Sequence, residues 1–368
     1  MQRILSTGSL RVSHRPHLLA LLLLVAALLL AAGCSGGASD RTEYEYVAVS
    51  EASLRDHVST IYNKTAVVRN GERLQVLERM QNKRFVRVRS PRGEEGWVQE
   101  RYLADQETFD EFQRLAEQFK NTAAQATATT QDQVKVHVLP GRKTGYLYLL
   151  AEKQKVELLQ RQTIDRNAPP LQLKDEKSKD KDADSDSSDD DQPKTTENAG
   201  PPAMLEDWWL VRDGQKHVGW VLGRALYLDI PEDIAQYSEG QRMVAAFPLD
   251  EVQDGDKKVA EYLVLFTENK DGQPYDYNQA RVFTWNLRRH RYETAYRERD
   301  LNGILPVTLG RQAFEKEGNL RTFTLRVKDG GTLREKLYKF NPPIVRRVLA
   351  PGEEPLKPHK KKSSRSSR

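Results

Sequence analysis

Few side chains in this sequence have the type and spacing that covalent chemistry needs. Cys34 is the single thiol in 368 residues, so the chain holds neither an internal disulfide nor a thiolate metal site. His14 and His17 lie in the amino-terminal segment, and His57, His137, His217 and His290 are scattered without metal-ligand spacing. No His-Glu-x-x-His occurs, and Gly-x-Ser-x-Gly occurs only as Gly33-Cys34-Ser35-Gly36-Gly37, directly after an apolar amino-terminal run, outside the strand-to-helix context that a hydrolase nucleophile needs. Pro140-Gly141-Arg142-Lys143-Thr144 ends like a phosphate loop, but an arginine replaces its required second glycine, and the stretch reads as a turn between strands. The aspartates at 180, 182, 184 and 186 lack the ordered ligands and distant glutamate of a calcium loop. The expectation is a non-enzymatic protein with no catalytic residue, no metal and no cofactor.

What remains is recognition chemistry. The densest polar and aromatic cluster runs from Trp285 to Arg297. A hairpin turning near Arg288 and Arg289 would place Arg291, Glu293 and Arg297 on one face and Tyr292 with Tyr296 on the other. With Arg288 at the turn, this is a docking face for an anionic ligand or a protein. The competing and favoured reading is an aromatic inner face with salt-linked outer residues.

The segments that must position such residues begin with an address. Arg3, Arg11 and Arg15 precede an apolar run from Leu18 to Ala32, as in an export signal over residues 1–33. The run is shorter than the roughly 20 residues that span a bilayer comfortably. Ala31-Ala32-Gly33-Cys34 resembles a bacterial lipobox, which implies that Cys34 becomes the acylated first residue of the mature protein and holds it to a membrane. In that family Ser35 implies passage to the outer membrane, so the expected location is its periplasmic face. Residues 34–43 then read as a flexible tether.

From residue 44 to 104 short alternating runs are separated by turn signals such as Asn70-Gly71 and Arg92-Gly93. Gly71-Glu72-Arg73-Leu74-Gln75-Val76-Leu77-Glu78, Phe85-Val86-Arg87-Val88, Gly96-Trp97-Val98 and Tyr102-Leu103 together resemble a bacterial SH3 domain. Residues 105–131 hold an amphipathic helix, with Phe109, Phe112, Ala116 and Phe119 on one stripe, followed by a small polar linker over Ala123–Thr130. The pattern then returns over 132–230 as Trp209…Gly219-Trp220-Val221…Tyr227-Leu228, so a second SH3-like unit is expected. It is interrupted by an Asp-, Ser- and Lys-rich insertion over 171–203 with almost nothing apolar to bury, read as a solvated spacer.

Residues 240–350 read as a further antiparallel β barrel or sandwich, punctuated by Asp254-Gly255, Asp271-Gly272 and Asp329-Gly330. Residues 351–368 form a basic tail. The predicted fold is thus mainly all-β, with one linking helix. The net charge of +5 accompanies 30% charged residues, and much of the surplus lies in the signal and the tail, which argues against nucleic-acid binding. In the SH3 class aromatic side chains line a shallow groove for extended peptides or wall stems. The resemblance implies Tyr102, Trp208 and Tyr227 as groove candidates; Trp97 and Trp220 are candidates too, although core packing is favoured for both. The implied partners are peptidoglycan or an envelope protein, with scaffolding of protein partners as the alternative.

Overall fold

The computed structural model describes residues 42–81, 84–169, 171, 203–349 and 352. The signal segment, Cys34, the acidic stretch 172–202 and all of the basic tail except Gly352 lie outside the described residues. The fold is all-β, with every strand pair antiparallel. Among the described residues no helix is long and apolar enough to cross a membrane.

The first unit comprises β1 (Tyr44–Val47), β2 (Glu51–Arg55), β3 (Lys64–Arg69), β4 (Arg73–Arg79), β5 (Phe85–Arg89), β6 (Glu95–Gln99) and β7 (Leu103–Ala104), in the order β3-β2-β6-β5-β4-β1-β7. Period-2 alternation decides which side chains enter its core. In β5, Val86 and Val88 are buried while Arg87 and Arg89 face water and Phe85 is half-buried. Val86 and Val88 meet Val47, Leu54, Val68, Leu74 and Val98 in one small cluster.

The second unit comprises β8 (Ala126–Thr130), β9 (Val134–His137), β10 (Tyr146–Leu150), β11 (Lys155–Asp165), β12 (Leu205–Arg212), β13 (Val218–Leu222) and β14 (Leu226–Leu228). Its order, β10-β9-β13-β12-β11-β8-β14, repeats that of the first sheet strand for strand. The acidic stretch separates β11 from β12, which pair out to Asp165 and Leu205. Ala126–Thr130, read from sequence as linker, is a strand. Small residues suffice there because β11 and β14 pair with it on both sides and every second side chain is buried. The unit therefore begins near residue 126 rather than 132.

The helix Gln106–Gln118 joins the two units and starts where Asp105 accepts a hydrogen bond from the Thr108 amide at 2.8 Å. Its Phe109 ring stacks on Tyr46 of the first unit at 4.1 Å between centroids. Asn70 also ties the units, donating to Leu147 O at 2.8 Å and accepting from Leu149 N at 3.2 Å.

The carboxy-terminal part is a sandwich of two meanders, β15 (Arg242–Asp254), β16 (Lys257–Thr267), β17 (Gln279–Asn286) and β18 (Arg291–Glu298), then β19 (Gly303–Phe314), β20 (Gly318–Asp329), β21 (Thr332–Asn341) and β22 (Ile344–Val348). Leu263 and Leu265 of β16 turn inward with Phe323, Leu325 and Tyr338. Val264 and Phe266 turn outward beneath Ile234 of a short helix, Glu232–Ala235, and the adjoining Tyr237. Both faces are covered, which is why this run is continuously apolar. The inner core is continuous with that of the second unit through Ala128, Leu158 and Val211. A polar lock reinforces the junction: Arg161 donates to Asp276 at 2.9 Å and lies 2.9 Å from Asp207, which also accepts from Arg242 at 2.9 Å.

Candidate binding surface

Each seven-stranded sheet contains one Gly-Trp dipeptide, and in each the glycine is required by a close approach. A Cβ on Gly96 would lie 2.8 Å from Leu54 Cβ and 2.7 Å from Thr65 Oγ1. One on Gly219 would lie 2.5 Å from Val136 Cγ1 and 2.9 Å from His137 O. The neighbouring strand presses on the glycine, and the next residue, a tryptophan, is sent to the opposite face.

In the first unit that opposite face is open. Trp97 stands across from Arg87 on β5 and Arg55 on β2. The Arg55 guanidinium lies 3.9 Å from the Tyr62 ring centroid and 5.4 Å from that of Phe85. Arg55, Tyr62, Phe85 and Trp97 are all half-buried, and Ile61 at the rim is 85% exposed. The loop carrying Tyr62 is closed by Asp56, whose two carboxylate oxygens accept from Asn63 N and Nδ2 at 2.9 Å each. Slight burial would raise the Asp56 pKa, but these bonds and the nearby His57 hold it below the usual carboxylate range. The result is a strip of three rings and a guanidinium across β2, β5, β6 and one loop. Ring faces take up C–H surfaces of sugars or peptides, and the arginine fork takes up a carboxylate.

In the second unit the equivalent face is closed. His137 opposes Trp220 as Arg55 opposes Trp97. With the Gly-Trp dipeptides aligned, Trp208 falls at the position of Phe85, because Trp208 opposes Leu222 as Phe85 opposes Gln99. Leu115, Ala116 and Phe119 at the end of the linking helix pack on this strip, leaving Trp208 at 2% and Trp220 at 6% exposure. Burial drives the His137 pKa down to about 4, so its ring is neutral near pH 7, with Nδ1 3.1 Å from Thr144 Oγ1.

The sequence-derived candidates therefore separate. Trp208 is a core residue and not a groove residue, because the helix covers it. Tyr102 is half-buried against the first unit's core, and Tyr227 is 66% exposed on the edge strand β14. They are not counterparts. The turns Glu100–Tyr102 and Gly223–Ala225 align, placing Ala225 at the position of Tyr102. The sequence pairing of Phe85 with Trp209 is likewise one residue out of register.

The hairpin face also splits. A register shift between Val282 and Phe283 pairs them with Tyr296 and Thr294, so one extra residue in β18 reverses the facing beyond it. Tyr292 joins the outer cluster and Tyr296 the inner one. Glu293 pairs with Arg289 and Arg291 near the turn, whereas Arg297 reaches Glu239 at 3.1 Å. Arg291, Glu293 and Arg297 thus do not share a face, and Arg288 is exposed at the turn. Pro140–Thr144 is a turn between β9 and β10, held by Thr144 Oγ1 donating to Leu139 O and Gly141 O at 2.7 Å. Among the described residues no group of three His, Cys, Asp or Glu is arranged to hold a metal ion. The residues missed from sequence are Arg55, Tyr62 and Phe85, which only the pairing of β2 with β6 assembles.

Residues 50–104 match the model of the bacterial SH3 domain, and residues 119–227 match that of the GW (Gly-Tryp) dipeptide domain. No curated protein matches the chain. Among solved structures, an NlpC/P60 family protein from Bacillus cereus ATCC 10987 is 11% identical with a TM-score of 0.21, and the match covers 55% of this chain and 64% of that one. The chain thus spans less than two thirds of the Bacillus protein's length. NlpC2 from Trichomonas vaginalis is 8% identical with a TM-score of 0.16, over 83% of this chain and 96% of that one. Likeness at this level transfers no function.

Proposed function

We propose that this chain is a non-catalytic binding protein of the bacterial cell envelope, held to the membrane by a lipid on Cys34 on the periplasmic face of the outer membrane. Its two seven-stranded units are copies of one SH3-like module. The first contacts peptidoglycan through Arg55, Tyr62, Phe85 and Trp97. Two matched families, bacterial SH3 and GW, are cell-wall-binding modules and support this reading. The observation that carries it is the asymmetry of the two faces: the same strip is sealed by a helix in the second unit and open in the first.

Sedimentation with purified sacculi tests it. Wild type should co-sediment, Tyr62→Ala/Trp97→Ala should stay in the supernatant, and Tyr227→Ala should behave as wild type. Failure of wild type to sediment, or sedimentation of the double variant, would remove the wall ligand. Cys34→Ser should release the exported protein from membranes.

One observation favours a second reading, in which the modules dock protein partners. The second unit's strip already accepts an amphipathic helix. A photo-crosslinker at position 62 that captures a protein and no wall fragment would establish that reading instead.

A further inference from the structure

The outer face of the first carboxy-terminal sheet holds a concentration of charge that the SH3-like units do not explain. Arg281 of β17 is 1% exposed, with its guanidinium 4.5 Å from the centre of the Phe266 ring. A guanidinium so deeply placed needs a well-aligned carboxylate. Glu239 provides it, accepting from Nη1 at 3.0 Å and Nη2 at 2.9 Å, while Nη1 also donates to Tyr237 O at 3.0 Å. The same carboxylate accepts from Arg297 at 3.1 Å. Arg299, just past the end of β18, donates to the amide oxygen of Gln279 at 3.2 Å and has no carboxylate partner among the described residues.

Two guanidiniums, Arg281 and Arg297, thus share one carboxylate, and a third, Arg299, stands beside them on Gln279. Burial, together with the charges of Arg297 and Arg299, pulls the Arg281 pKa down despite Glu239. Glu239 itself is an insecure partner. It lies at φ 51, just before Gly240 at φ 80, and its side chain is 50% exposed. A left-handed glutamate is uncommon and is a pointer to function when it sits at a binding surface. Beside it opens a cleft of about 260 Å³, lined by Glu239, Arg281, Arg299 and the amides of Gln241, Asn278 and Gln279.

The geometry points to a carboxylate-recognition site: the cleft takes the free carboxylate end of a short peptide, which replaces Glu239 at Arg281 and Arg297 and engages Arg299. A carboxylate is favoured over a phosphate for two reasons. The resident group is a planar two-oxygen acceptor gripped in a fork, the geometry a peptide terminus reproduces. Asp300 also lines the cleft with Glu239, Arg281 and Arg299, and with Arg297, which pairs with Glu239 from beside the cleft, three positive charges meet two negative ones, a balance suited to a monoanion. The Gln241 side chain, whose oxygen accepts from Gln279 Nε2, has its own N–H groups to donate to the terminal peptide group.

Titrating N-acetyl-dialanine, in separate L and D forms, into the full mature chain while following arginine Nε–H resonances tests the site. Binding should be weak in wild type because Glu239 competes. Glu239→Gln should tighten it at least tenfold, and Arg299→Gln, at an exposed position, should weaken it at least tenfold. The amide-capped peptide should not bind, and phosphate should compete no better than chloride at equal ionic strength. Should Glu239→Gln unfold the sheet, sodium acetate must restore its urea midpoint where sodium chloride does not. Unchanged affinity in Arg299→Gln, or a Glu239→Gln protein that neither binds more tightly nor responds to acetate, would overturn the assignment.

Discussion

Trp97 and Trp220 occupy the same register position in two sheets of identical strand order, yet Trp97 is half-buried at an open face and Trp220 is 6% exposed beneath Leu115 and Phe119. One side chain type therefore has two jobs. Truncation should separate them. Trp220→Ala removes a ring from a packed cluster and should destabilise by about 3–5 kcal/mol. Trp97→Ala should cost under about 1.5 kcal/mol, since its ring keeps much of its contact with water. Urea unfolding of the two variants checks the contrast, and equal losses would mean that the first face is not a free surface.

The glycine before each tryptophan makes a separate claim. Gly96→Ala and Gly219→Ala each drive a methyl into a neighbouring strand, within 2.8 Å of Leu54 Cβ and 2.5 Å of Val136 Cγ1 respectively. Overpacking of this kind costs about 1–3 kcal/mol. Because Leu54 and Arg55 are adjacent on β2, Gly96→Ala should also displace Arg55 and weaken wall sedimentation. Gly219→Ala should lower the unfolding midpoint with no effect on sedimentation per folded molecule.

Local pattern made much of this fold readable in the sequence. Alternation in β5 and the spacing of Phe109, Phe112, Ala116 and Phe119 are one-dimensional signals, and both produced the expected element. Long-range pairing is not written locally. Trp208 reads as a groove ring until the helix is seen to lie on it, and Arg55 gains meaning only when β2 pairs with β6. Strand β8 was missed because Ala and Thr carry no apolar run, although partners on both sides make it a strand. The bulge in β18 is invisible to parity, and it alone parts Tyr292 from Tyr296.

Asp207 holds the second unit to the carboxy-terminal sandwich. It is 2% exposed, faces Arg161 and Arg242, and accepts from Thr163 Oγ1 at 2.8 Å and Gly272 N at 3.2 Å. Burial would raise its pKa, but Arg161 outweighs that and holds the carboxyl below its ordinary range. Asp207→Asn keeps the shape and removes the charge, leaving Arg161, 6% exposed, to rely on Asp276. The expected loss is about 3 kcal/mol, because removing one carboxylate from a buried ion cluster is costly even where a second, here Asp276, stays in place. Arg242→Gln, at the exposed side of the same cluster, should cost under about 1 kcal/mol. Thermal unfolding of both variants distinguishes a buried lock from a surface ion pair, which would give two small and similar shifts.

His137 makes the fold sensitive to acid. Its folded-state pKa is depressed by burial to about 4, against 6.5 in a solvated chain. The unfolded chain therefore binds the proton first, so stability is complete above about pH 6.5 and falls as pH drops towards 4, where both states are protonated and the loss levels off. That gap of about 2.5 units corresponds to at most about 3 kcal/mol. The affected contacts are specific: the ring packs edge-on against Trp208 at 5.3 Å, and its Nδ1 meets Thr144. Urea midpoints measured at pH 7, 5.5 and 4.5 should decline for wild type. His137→Gln should begin lower at pH 7 and lose most of that decline, since it retains a hydrogen-bonding group without the titration. A slope that is the same in both proteins would assign the acid sensitivity to the carboxylates instead.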